Sequence, residues 1–136
     1  MKAAYIAAWI MAAVFIAGET LRRGLSYLSV NATTMVEDYL CGALLLSAAI
    51  FWHRQRPLAP KLMAVAWAYA TGGMFVPFFA HLEAFLRDTT FRPDHPHDDF
   101  NSIVLKGVIW AICLVLLIIS LRSDDSEFQA AQSRAV

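Results

Sequence analysis

Four stretches of the chain, residues 3–18, 39–52, 62–80 and 107–121, are almost wholly apolar and carry no charged side chain. A helix needs about 20 residues to cross a hydrocarbon layer about 30 Å thick, and only the third stretch comes close. The second holds 14 residues, about 21 Å of helix at 1.5 Å per residue. It must therefore draw in its flanks. On its C-terminal side stand His53, Arg54 and Arg56, and then Pro57, which ends a helix. On its N-terminal side lies Thr33-Thr34-Met35-Val36-Glu37-Asp38, so a span over 33–52 takes Glu37 and Asp38 into its outer part. The fourth stretch extends in the same way to 102–121, with Asn101-Ser102 as its N-cap. Lys106 then sits one turn inside it. The third span covers 61–86, and Gly72, Gly73 and Pro77 predict a kink near 73–77.

The first stretch resembles a secretory signal, with Lys2, an apolar segment and Ile16-Ala17-Gly18 as a cleavage site. A lone basic residue before it, and a helical continuation through residues 19–28, favour an uncleaved span over about 3–23. Ala4, Ala8 and Ala12 recur at i, i+4 and form the small-residue ridge that lets membrane helices approach closely.

Composition agrees with this pattern. Apolar residues make up 59% of the 136 and charged residues 16%, whereas a soluble domain has about 45–50% and about 25%. Eleven basic residues balance eleven acidic ones, and no basic stripe marks a nucleic-acid binder. The fold class predicted is all-α, an integral membrane four-helix antiparallel bundle over 1–121. A polar tail, 122–136, carries Asp124, Asp125 and Glu127 and is expected to be disordered.

Charge sets the expected orientation. The short segment 53–61 holds Arg54, Arg56 and Lys61 and no acid, so it is expected on the cytoplasmic side. Four spans then place both termini in the cytoplasm, in a multi-pass protein of the cell inner (plasma) membrane. Six basic residues fall inside (Lys2, Arg54, Arg56, Lys61, Arg122, Arg134) and five outside, a weaker bias than that of the loop alone. Eight of the eleven acids and three of the four histidines fall on the outer side, which is where chemistry is expected.

Three groups there are candidates. Glu37, Asp38 and Lys106 come at similar depth on the second and fourth spans, where charges pair, face the interior or line water. Together with His81 and Glu83 at the end of the third span, they form the expected ligand or ion cluster. Each has a plainer role available. Thr34-Met35-Val36-Glu37 matches a capping box, Lys106 can snorkel to the surface, and Glu83–Arg87, like Glu19–Arg23, is an i, i+4 ion pair. His81 and Glu83, at i, i+2, do not face each other on a helix. The third group is Asp94-His95-Pro96-His97-Asp98-Asp99. His95, His97, Asp98 and Asp99 offer imidazole and oxygen ligands to a divalent transition metal. A solvated acidic loop is the plainer account, and the H-E-x-x-H spacing of catalytic zinc is missing. No cofactor is otherwise expected.

Other signals are negative. Cys41 and Cys113 form no C-x-x-C and are expected at different depths. His53 and His81 fall at opposite faces, a poor arrangement for haem. Asn31-Ala32-Thr33 fits a glycosylation acceptor but requires a secretory setting. Tyr5, Tyr39 and Trp52 fit an interfacial belt. The function expected is a non-enzymatic accessory, interaction or ligand-binding role with a charged outward end. Its partners are membrane lipid and another membrane protein or a second copy, and nucleic acid is not among them. The alternatives are a small oligomeric transporter or proton-coupled carrier, and a membrane enzyme acting on a lipid-like substrate through His81 with Glu83 or Asp38.

Overall fold

The computed structural model describes residues 1–89 and 99–122, and among these every regular element is a helix. Helix α1 (Lys2–Ala13) runs through a π turn (Val14–Gly18) into α2 (Glu19–Arg23). Gly24 takes φ +73°, a conformation that suits glycine, and starts the 3₁₀ turn Leu25–Tyr27. Then come α3 (Leu28–His53), α4 (Ala59–Leu86) and α5 (Phe100–Arg122). Among the described residues four helical rods are long and apolar enough to cross a membrane: Lys2–Leu21, Leu25–His53, Ala59–Leu86 and Phe100–Arg122.

The second rod starts earlier than the apolar run does. Asn31 breaks its helical backbone at φ −150°, ψ 80°, and its Oδ1 accepts the Thr34 N–H at 3.1 Å. That is N-cap geometry. The expected cap at Thr34 therefore does not form; the cap lies three residues earlier and Glu37 sits within the helix. Helix α4 starts with Pro60 in its first turn, where the missing N–H is not needed. It stays helical through Pro77, and the backbone break falls at Asn31 instead.

Consecutive rods pack on each other, α4 against α5 most extensively, and α1 also touches α5. Ala4, Ala8 and Ala12 are fully buried or nearly so. The ridge they form brings α1 close to α3: a methyl group at Gly42 would collide with the Ile16 side chain and stand 3.2 Å from the Ala12 carbonyl oxygen. A second close approach joins α4 and α5, where a methyl at Gly107 would lie 2.7 Å from the Phe78 ring. Trp110 packs beside it, 5.1 Å from Phe79 and 5.9 Å from Phe78 between ring centroids. Leu45, Met63, Trp67 and Cys113 fill the centre. Hydroxyls inside the rods bond back to their own helix, Thr71 to the Trp67 carbonyl and Ser120 to the Leu116 carbonyl, each at 2.8 Å. Large apolar side chains such as Ile10, Val65, Leu105 and Val115 point outward on every rod. An all-round apolar helix surface of this kind suits lipid rather than water.

Candidate functional site

Ionisable side chains divide between the two ends of the bundle. The Tyr5 hydroxyl lies 3.4 Å from His53 Nδ1, so the start of α1 and the end of α3 share one end with the start of α4. Phe85 and Phe100 meet at 6.0 Å between centroids, so the far end of α5, with Arg122, belongs there too. Among the described residues that end carries Lys2, Arg54, Arg56, Lys61 and Arg122 and no carboxylate. Glu19, Glu37, Asp38, Glu83, Asp88 and Asp99 all fall toward the opposite end.

Two of these acids, Glu19 and Asp38, gather where α2 meets α3. Arg23 is their organiser: its Nε stands 2.8 Å from Glu19 Oε2, and its Nη1 stands 3.6 Å from Asp38 Oδ2. Its guanidinium also covers the Tyr27 ring at 5.0 Å. Arg23 and Asp38 are each only 18% exposed. Their 3.6 Å separation exceeds hydrogen-bond length, so charge rather than a formed hydrogen bond links these two atoms. Behind the pair, the Thr20 hydroxyl donates to the Ile16 carbonyl at 2.6 Å. Its one proton is then committed, so Tyr39 donates to Thr20 Oγ1 across 2.9 Å.

Glu37 follows a different direction. It is one residue from Asp38, about 100° around the helix, and its carboxylate lies against α4. A methyl at Gly73 would stand 3.2 Å from Glu37 Oε1, and one at Gly72 would meet nothing within 4 Å. Neighbouring acids on α3 are thus directed to different helices, Asp38 to Arg23 on α2 and Glu37 to Gly73 on α4.

His81 is buried on α4, while Glu83 is exposed and holds Arg87 at 2.9 Å. The two do not share a face. Lys106 is half-buried on α5 beside Gly107, which packs on Phe78, one turn before His81. Asp99 is exposed, and its carbonyl caps α5 by accepting the Ile103 N–H at 3.2 Å. His95, His97 and Asp98 lie outside the described residues, as does 123–136. Among the described residues no group of three or more His, Cys, Asp or Glu side chains is placed to hold a metal ion.

Cys41 and Cys113 are free and buried. Counted from Glu37 against Gly73 and from Gly107 against Phe78, they fall opposite about residues 69 and 72 of α4, within about one helical turn. The expectation of different depths is therefore corrected: the longer helices place both near mid-height.

Sequence reasoning does not reach Arg23, Thr20 and Tyr39 as members of the cluster at the acidic end. The Glu19–Arg23 spacing is a signal, but it names only a local pair. The π turn has no signal, and it sets the direction of Thr20 and Arg23. One extra residue in a turn rotates the helix beyond it by about 100°; without it Thr20 and Arg23 would turn away from Tyr39 and Asp38. Comparison of the chain with protein families, characterised proteins and solved structures gives no match.

Proposed function

We propose that the chain is a small integral protein of the cell inner membrane, a four-span antiparallel bundle with both termini cytoplasmic, and that it serves as a non-enzymatic accessory protein. Its outward end would engage a cationic group of a membrane partner or of a second copy. The pairs Tyr5–His53 and Arg23–Asp38, and Phe85–Phe100 and Gly107–Phe78, run in opposite chain order and support the antiparallel arrangement. The short segment 53–61, with Arg54, Arg56 and Lys61 and no acid, supports the orientation.

The observation that carries the reading is the position of Glu37. It lies 16 residues from His53, about 24 Å along the helix, against a hydrocarbon layer about 30 Å thick. A carboxylate at that depth is costly unless it meets a cation or water. Asp38 has Arg23, whereas Glu37 lies against Gly73, and the neighbouring Gly72 is open and leaves room for an incoming side chain.

Native mass spectrometry of the full chain in mild detergent tests this. The expected result is a protein partner or a second copy at fixed stoichiometry, with occupancy falling at least about tenfold in Glu37→Gln, as for other desolvated charge pairs. A bare monomer in the unaltered protein, or a complex indifferent to Glu37→Gln, overturns it.

A further inference from the structure

The opposite end of the bundle holds a recess that the cluster at the acidic end does not use. Phe51, Arg54, Arg56, Pro57 and Leu58 line an open cavity of about 360 Å³ where α3 ends and α4 begins. Its walls are mostly carbon, and Arg54 and Arg56 are among the residues that line it. The turn that carries them is held by its own backbone. Arg54 N–H donates to the Ile50 carbonyl, Arg56 N–H to Phe51 and Ala59 N–H to Arg56, each at 2.9 Å, and Gln55 takes φ +52°. The two arginines are therefore presented by a defined loop. Lys61 follows in the first turn of α4, and no carboxylate lies at this end among the described residues.

We infer that this recess binds the phosphate headgroup of an anionic phospholipid, with Arg54 and Arg56 on the phosphate and an acyl chain along Phe51 and Leu58. The chemistry is that of an amphiphile. Guanidinium forks match phosphate oxygens. Phe51 and Leu58 are both exposed at the same level, 37% and 61%, and offer carbon surface to the chain below the headgroup. A free phosphate would use the arginines and leave that surface wet; a lipid uses both. The tyrosine–tryptophan pair Tyr5–Trp52, 6.5 Å between centroids, marks the same level as interfacial. This inference rests on the proposed membrane location, at the other end of the molecule from Glu37.

The test offers the full chain, in mild detergent, phosphatidylglycerol and phosphatidylcholine of equal chain length, and counts retained lipids by native mass spectrometry. The expected result is preferential retention of phosphatidylglycerol, with the preference falling about fivefold for each arginine replaced by glutamine. Arg54→Lys with Arg56→Lys keeps the charge but not the fork and should retain a preference between those of the parent and the glutamine variants, which guards against a variant that merely misfolds. Equal retention of the two lipids overturns the proposal. So does an equal loss in the control Lys2→Gln with Arg122→Gln, which would mean a diffuse field. Displacement of the lipid by glycerol phosphate at equal concentration would assign the recess to a free phosphate and overturns the lipid assignment. Alkaline carbonate extraction of the membranes separates the two readings. Release of the chain overturns the membrane reading, whereas an integral chain without lipid preference overturns the recess alone.

Discussion

Replacing Arg23 by glutamine takes the cation from two carboxylates at once, Glu19 at 2.8 Å and Asp38 at 3.6 Å. Replacing Asp38 by asparagine leaves Arg23 with Glu19. Arg23→Gln should therefore destabilise more than Asp38→Asn. Breaking a fully buried pair costs about 3–5 kcal/mol; partial exposure and the longer contact bring Arg23→Gln to roughly 2 kcal/mol. Denaturation midpoints in detergent, run as a double-mutant cycle, check the order, and equal losses in the two variants would contradict it. The glycines give a second contrast. Gly42→Ala forces Ile16 and the Ala12 carbonyl away and should cost about 1–3 kcal/mol, as overpacking does. Gly72→Ala meets nothing and should gain up to about 1 kcal/mol from helix propensity. Thermal unfolding of both variants settles the sign. At this scale the sequence places Glu37 and Asp38 within a span long and apolar enough to cross a membrane. It does not show that one faces Arg23 and the other a glycine, because that depends on helix rotation.

Helix boundaries are legible wherever an apolar run meets a proline or a cluster of charge, as at His53–Pro57 and around Lys61. They are less legible where polar residues continue a helix. The helix of the second span starts at Ala32, ahead of its apolar run, because Asn31 caps it, whereas the capping motif of Thr34 and Glu37 is not used. Asn31→Ala should therefore cost about 0.5–2 kcal/mol, with faster amide exchange at Thr34 and little change beyond Cys41. Asn31→Asp keeps the acceptor and should stay close to the parent protein. Hydrogen exchange resolved by residue decides, and unchanged protection at Thr34 in Asn31→Ala would remove the cap. The π turn at Val14–Gly18 is the element that the sequence does not announce. The alanine ridge is visible at i, i+4, but a π turn is one residue too many in an otherwise ordinary apolar run, and no residue type marks it. Its consequence is local and large: it turns Thr20 and Arg23 onto α3, so the cluster at the acidic end depends on a backbone irregularity as much as on its charged residues.

For the whole molecule, the division of charge between the ends makes orientation testable. Gln55 and Thr89 flank α4, one in the basic turn and one past the acidic end. With the native cysteines buried, a cysteine at either position reports its side through a membrane-impermeant maleimide. Gln55→Cys should react only after the cells are opened, and Thr89→Cys should react in intact cells. Reaction of both from the same side would contradict a crossing by α4, and the reverse pattern would contradict the orientation. The weight of the short loop can be read in the same assay. In the proposed orientation, replacing Arg54, Arg56 and Lys61 by glutamine leaves three basic residues inside against five outside. Lysine and arginine near span ends set topology, and acidic residues contribute little, so the variant should insert in both orientations and label Thr89→Cys from both sides. A single unchanged orientation would mean that the remaining inside charges, Lys2, Arg122 and Arg134, or the packing of the Ala4–Ala8–Ala12 ridge on α3, hold the topology without the loop. In that case the two arginines at 54 and 56 would be released from any duty in insertion, and their place in the recess would need the lipid to explain it.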